Sequence, residues 1–258
     1  MIRSVAAQLE PEDRLVIVDA GSTDATRDEL ERHRAEIAHV EMTPLKQAPA
    51  IRWGFDNFDS DICCYLNTDD VLLPGSIARV KAFFEHNPEQ DAVYSHRVFI
   101  DAAGSVRRIW NLPAHSDMLM GRWDYIPQET CFWRREAMDS AGGIDPSFDF
   151  AMDYDFFCRL MRSASMYRMD AYLAAFRDHE ESKTSNLVAT LGAKEVALVR
   201  EKYGLGTSGG WRLVGRMLRE FVEWRSRSAF TPELQASLQQ LVNQSSLDET
   251  MHASGSTE

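Results

Sequence analysis

Several absences bound this chain before any motif is considered. In 258 residues no apolar run approaches the ~18 that a membrane-crossing helix needs. The opening stretch MIRSVAAQLEPEDR holds too short an apolar segment for a secretory signal, so the expected location is cytoplasmic. Cysteine is sparse: Cys63, Cys64, Cys131 and Cys158 show no CxxC spacing and no adjoining histidine. That argues against a zinc ribbon or a disulfide frame and leaves reduced cysteines. Positive charge is also short, with 28 Lys and Arg against 40 Asp and Glu and a formal net charge of −12. Nucleic-acid binders draw much of their affinity from phosphate neutralisation, so nucleic acid is not an expected partner. A small phosphate-bearing ligand remains open, because a divalent cation can supply positive charge locally. No repeat of solenoid type is visible.

What is present is ordinary for a globular protein: 44% hydrophobic and 26% charged residues, enough for one medium-sized domain with appendages. LVIVDAGSTD (15–24) is a β-branched run ending in a Gly turn, and ATRDELERHRAEI follows with apolar residues at helical spacing. The unit repeats in DICCYLN and the helical SIARVKAFFEHNP. DAVYSHRVFID and SVRRIW bracket Ala102-Ala103-Gly104 as strand, turn and strand. Strands alternating with helices predict an α/β fold with a mostly parallel central sheet. Both polar clusters, Asp19–Asp24 and Asn67–Asp70, then fall at carboxyl ends of strands, where open α/β sheets bind ligands.

Two carboxylates need a reason. Asp69 and Asp70 lie side by side after an apolar run, and like charges repel; either the loop is solvated or something positive sits over them. FAMDYDFFCRLMRSA predicts a helix with Phe156, Phe157 and Leu160 inward, and Asp153 shares that side in its first turn. Asp153 could cap the helix or serve as a base in a cleft, and the helix dipole is expected to keep it ionised. Residues 110–150 are rich in turns and aromatics. Trp123, Tyr125 and Trp133 could stack on a sugar or simply pack. Glu129 and Arg134-Arg135 are weaker candidates for a ligand site.

Toward the C-terminus, 187–203 reads as a helix and YGLGTSGG as a joint. WRLVGRMLREFVEWRSRS (211–228) is a basic amphipathic helix that could dock on its own domain or touch an anionic membrane surface. The expected division is a domain over 1–204 and a helical tail over 205–258, with 243–258 polar and frayed.

Taken together, VIVDAGSTD, KQAPAIRWGFDNFDSDICCYLNTDD, QETCFWRREAMDSAGGIDPSFDFAMDYDFFCRL and FRDHEESKT resemble, in order, the motifs of the family 2 inverting glycosyltransferases. The resemblance spans about residues 4–185 and implies a Rossmann-like, A-type glycosyltransferase fold with C-terminal helices added. It implies a nucleotide-sugar donor (a UDP-, GDP- or dTDP-sugar), a glycan or lipid-linked acceptor, and Mg²⁺ or Mn²⁺ as cofactor. By the same likeness Asp19 contacts the nucleotide base, and Asn67-Thr68-Asp69 matches the family's Asp-x-Asp with Asp70 beside it. Asp69 and His179 would meet the metal, Gln47 or Lys46 the donor, and Asp153 would be the general base. The chain departs from the pattern at Ala20, Asn67 and Met152, which stand where acidic residues are usual. MIRSVAAQLE is similar to the helix after the family's first strand, so that strand is not expected here, and its neighbours' edges would be unpaired. The alternative is a catalytically degenerate homologue acting as a binding or scaffold subunit. A nucleotidyltransferase would need a basic, Gly-rich phosphate loop near the N-terminus, and none is visible.

Overall fold

The computed structural model describes residues 1–178, 191–205 and 209–245. Helix α1 (Ile2–Ala6) is tied to the body by Ser4, whose hydroxyl accepts from the Leu72 amide at 3.1 Å. Strand β1 (Val16–Asp19), helix α2 (Thr26–Arg32) and strand β2 (His39–Met42) form a βαβ unit. Its strands pair in parallel from Val16 opposite His39 to Asp19 opposite Met42. Leu15, Ile17, Leu30 and Ile37 fill the space between strand and helix.

Helix α3 (Gln47–Asn57) leads to two very short strands, β3 (Ile62–Cys63) and β4 (Val71–Leu72), with the Asn67–Asp70 loop between them. Gly75, at φ +77°, turns the chain into α4 (Ser76–His86), which buries Val80 and Phe84. Strands β5 (Ala92–Ile100) and β6 (Val106–Trp110) form a hairpin. Next come α5 (Asp117–Met120), a 3-10 turn (Gln128–Thr130), β7 (Phe132–Arg134), α6 (Arg135–Ser140) and α7 (Met152–Ser163). The long β8 (Met166–Arg177) is followed by α8 (Ala193–Lys202), α9 (Gly209–Ala229) and α10 (Pro232–Gln244). Pro232 opens α10, and the Thr231 hydroxyl accepts from the Leu234 amide at 3.2 Å, satisfying a free helix-end donor.

The fold is α/β with C-terminal helices, but the expectation of a mostly parallel sheet is corrected. β1 and β2 stand apart as a two-stranded sheet, and the larger sheet runs β3-β7-β5-β8-β4, with β6 also on β5. Within it β5–β8 is parallel; β3–β7, β5–β7, β5–β6 and β4–β8 are antiparallel. A local turn explains one of these antiparallel pairings. Asp101 accepts from the amides of Ala103 and Ser105 at 3.0 and 2.8 Å, and Gly104 adopts φ +84°. A turn that tight can only send β6 back antiparallel. Among the described residues no second strand pairs with the other edge of β1 or of β3.

The main core gathers around Trp133, Tyr94, Phe156 and Phe157 between the sheet and α7. Helix α10 covers the β5–β6 hairpin through Leu238 and Val242, and α9 contributes Val222 to the main core. Cys63, Cys131 and Cys158 are buried free thiols as expected, whereas Cys64 is exposed. No helix among the described residues is long and apolar enough to cross a membrane.

Candidate active site

One rim of the site is built by the ends of β1 and β3. Asp19, the last residue of β1, is buried and folds over its own turn. Its carboxylate accepts from the Ser22 amide at 3.1 Å and from the Ser22 hydroxyl at 2.6 Å. Gly21 at φ +94° makes that turn possible, because a side chain there would be strained. On the neighbouring loop Asn67 is a bridge. It accepts from Gln47 Nε2 at 2.8 Å and donates to Gln128 Oε1 at 3.2 Å. Gln128 donates in turn to the Tyr65 carbonyl. The start of α3, the acidic loop and the 3-10 turn are thereby joined.

Asp69 and Asp70 differ sharply. Asp69 is half-buried, and its backbone carbonyl accepts from Arg177 Nε at 2.9 Å. Asp70 is wholly buried; Oδ1 accepts from the Arg177 amide at 3.1 Å, and Oδ2 has no hydrogen-bond partner among the described residues. Burial, with the charges of Glu129 and Asp69 added, pushes the Asp70 carboxyl well above the usual range. Arg177 also donates to the carbonyls of Asp101 and Ala102, so one guanidinium at the end of β8 holds both loops. Asp70 thus points into the protein, and Asp69 is the member of the doublet left at the rim. His179 lies outside the described residues.

A second cluster of acidic groups gathers around one arginine. Arg97 Nε and Nη2 donate to the two oxygens of Glu129, each at 2.7 Å, a forked pair with the carboxylate almost fully buried. Phe99, Trp110 and Phe176 surround the guanidinium at 5.5, 5.5 and 4.7 Å. Asp153 and Asp124 lie within electrostatic reach of this pair, as does Tyr65, whose buried hydroxyl has no hydrogen-bond partner among the described residues. Asp153 Oδ1 accepts from the Tyr154 amide at 2.8 Å. Burial raises the Asp153 carboxyl above the ordinary carboxylate range, and Glu129 adds to this against the pull of that amide and of Arg97. Desolvation thus opposes the helix dipole, which was expected to favour the ionised form of Asp153. Asp124 is pushed well above the usual range by burial and then by Asp153.

Asp155, two residues on, is fully buried but fully compensated. It accepts from Arg159 at 2.7 Å, Lys202 at 2.9 Å and Tyr203 at 2.8 Å, tying α7 to α8. Other candidates make contacts elsewhere. Lys46 is exposed and paired with Asp149 at 2.7 Å. Trp133 is at the centre of the core, and Tyr125 is buried beside Tyr94. Trp123 packs between Trp110 and Tyr125. Arg134 donates to the carbonyls of Gln90 and Phe84, and Arg135 to those of Phe55 and Phe58.

Sequence reasoning missed Arg97, Asp124 and Tyr65. Arg97 stands alone in the apolar run AVYSHRVFI, and Asp124 sits between two aromatics. A lone charge in such a setting must find a partner or change its protonation, and that was the available signal.

Among the described residues no three His, Cys, Asp or Glu side chains form a metal cage. The donor chemistry still fits Mg²⁺ or Mn²⁺. Such ions are commonly held by one or two carboxylates, with substrate phosphates completing the shell, and Asp69 offers one hard oxygen ligand at the rim.

An α/β sheet with carboxylates at its strand ends and a half-buried carboxylate on a helix start has the layout of A-type nucleotide-sugar transferases. The chain belongs to glycosyl transferase family 2, whose model matches residues 1–138. It is 30% identical over 109 residues to TagX of Staphylococcus aureus (strain MRSA252), covering 38% of this chain and 31% of TagX. Against the O-antigen biosynthesis protein RfbC of Myxococcus xanthus it is 27% identical over 169 residues, covering 64% of this chain and 13% of RfbC. The matched region is thus under one third of either curated relative. Its fold is similar to that of S. aureus TarS 1-349 in complex with UDP-GlcNAc, with TM-score 0.56 and 16% identity, over 72% of this chain and 56% of that one. It is also similar to the mannosyltransferase PcManGT of Pyrobaculum calidifontis in complex with GDP-Man and Mn²⁺. There the TM-score is 0.54 and the identity 13%, over 94% of this chain and 80% of that one.

Proposed function

We propose that this protein is a metal-dependent inverting glycosyltransferase. It would move a sugar from a nucleotide-diphosphate donor to a hydroxyl of a polysaccharide or lipid-linked glycan. The observation that carries this reading is the bridge between the two clusters. Asn67 of the acidic loop bonds Gln128, and the next residue, Glu129, holds Arg97 in the pair whose charges act on Asp153. Membership of family 2, and the UDP-GlcNAc and GDP-Man complexes of the two structural neighbours, support a nucleotide sugar as donor.

In this reading Asp19, Gln47 and Asn67 line the donor side, and Asp69 holds a Mg²⁺ or Mn²⁺ ion, with His179 a second candidate ligand. A cation held there supplies Lewis-acid stabilisation to the departing diphosphate. Asp70 would not touch the donor; its side chain fixes the loop through the Arg177 amide, so its role is positioning. Asp153 accepts the proton of the acceptor hydroxyl as that oxygen attacks the anomeric carbon. A raised carboxyl pKa suits this task, since a base is most effective when its pKa approaches the working pH. The Arg97–Glu129 pair is neutral as a whole, and its two charges act on Asp153 in opposite directions. One base and a single displacement invert the anomeric carbon.

The test is a panel of UDP-, GDP- and dTDP-sugars assayed for donor hydrolysis with Mn²⁺ and with EDTA. Turnover of one donor, abolished by EDTA, is the expected result. Hydrolysis unaffected by EDTA would refute the metal, and no donor bound or turned over would favour the degenerate alternative.

A further inference from the structure

Helix α9 carries two apolar faces, and among the described residues one of them is covered. On the inner face Gly215 meets the backbone of Arg122 so closely that a Cβ would lie 2.6 Å from its carbonyl oxygen. Val222 enters the core, and the Ser226 hydroxyl accepts from the Asn111 amide at 2.8 Å. These contacts at 215, 222 and 226 fix the helix's rotation. They leave Leu213, Val214, Met217, Phe221 and Trp224 pointing outward at i, i+3 and i+4 spacing. Leu213, Met217, Phe221 and Trp224 are 58, 60, 56 and 60% exposed. Phe221 and Trp224 sit against each other, with ring centroids 6.0 Å apart. Single exposed apolar residues are common on protein surfaces, but a continuous stripe of this length is not.

Charge indicates the occupant. Gly209–Ala229 carries five arginines and two glutamates, a net +3, within a chain of net charge −12. Arg216 and Arg219 pair with Glu220 and Glu223 along the helix, at 2.9 and 3.0 Å. Arg225 and Arg227 border the stripe and have no carboxylate partner among the described residues, so they can meet external anions. A bare apolar face with a Trp-Phe pair and flanking arginines matches the wet-and-oily boundary of an anionic bilayer. A second copy fits less well. Five side chains of one helix fall short of the ~800 Å² and roughly 20–30 residues that each partner gives a stable dimer, and the two faces would carry charge of the same sign.

We propose that α9 lies on an anionic membrane surface, with Leu213, Met217, Phe221 and Trp224 in the headgroup–acyl boundary and Arg225 and Arg227 on lipid phosphates. This does not depend on the transferase reading.

The test is flotation of the full-length protein with vesicles of phosphatidylcholine alone and of equal parts phosphatidylcholine and phosphatidylglycerol. Wild type should float with the anionic vesicles at least about tenfold more than with the neutral ones. Phe221→Asp/Trp224→Asp should abolish flotation with circular dichroism unchanged, since both residues are already exposed. Arg225→Glu/Arg227→Glu should weaken it and remove its salt sensitivity. Wild type left unbound by anionic vesicles, or the Phe221/Trp224 variant floating like wild type, would overturn the proposal. So would a dimer in solution that the same double substitution dissociates, because the stripe would then be a self-association face.

Discussion

The loop between β3 and β4 and the pocket around Arg97 both collect carboxylates, yet they treat them in opposite ways. At the loop, Arg177 binds backbone carbonyls and the buried Asp70, and Asp69 remains at the rim. In the pocket the arginine is spent on Glu129, and Asp124 and Asp153 are half-buried carboxyls that desolvation raises. The rim suits a hard cation, which lowers the cost of packed negative charge. The pocket suits a proton, which does the same work on a weak base. Asp153 and Asp155 repeat the lesson within a single helix turn. Three donors neutralise Asp155 and make it a strut between α7 and α8; Asp153 receives one backbone amide and keeps its basicity.

The largest effect expected from breaking this contrast is on transfer. Asp153→Asn should lower kcat by about 10²–10⁴, the usual contribution of a positioned base, with nucleotide binding retained; an unchanged rate would remove Asp153 from that role. Next is stability. Glu129→Gln leaves Arg97 buried against a neutral partner and should cost about 3–5 kcal/mol in urea unfolding. A loss under 1 kcal/mol would mean that water reaches the pair.

The smallest effect sharpens the comparison. The folded-state pKa of Asp124 lies above its unfolded value, so Asp124 stabilises the fold while protonated and loses that contribution as pH rises through the folded value. Asp124→Asn should therefore melt about 2–4 °C above wild type at neutral pH, with the gap closing below about pH 4. With Asp124 neutral, Asp153 should also ionise more readily, moving the acidic limb of the kcat/KM profile to lower pH. An acidic limb that stays in place would show that the two carboxylates do not interact.

Much of this was legible in residue patterns, and the failures have physical causes. The βαβ start, the β5–β6 hairpin and α7 follow from periodicity and turn chemistry, because their local preferences agree with their final setting. Strand β8 escaped notice because YRMDAYLAAF is rich in alanine and interrupted by charge, and its state is imposed by nine residue pairs with β5. Helix α3 was hidden by Pro49, which is tolerated in a first turn where amides are free anyway. Sheet direction is not legible in the sequence, because alternating strands and helices suggest crossovers, and short strands such as β4 and β7 do not announce which way they run. Asp69 and Asp153 stood out as charges adjoining apolar runs. The Arg97–Glu129 pair did not, because its members are 32 residues apart and only the folded sheet brings them together.

The central claim is a division of labour: Asp69 serves the donor and its cation, and Asp153 serves the acceptor's proton. Calorimetric titration of UDP into Asp69→Ala and Asp153→Asn, each with and without Mn²⁺, tests it most directly. Asp69→Ala should lose the Mn²⁺-dependent part of binding, at least about tenfold in Kd or 1.4 kcal/mol, while Asp153→Asn binds like wild type. Mn²⁺-dependent binding that survives Asp69→Ala and disappears with Asp153→Asn would contradict it.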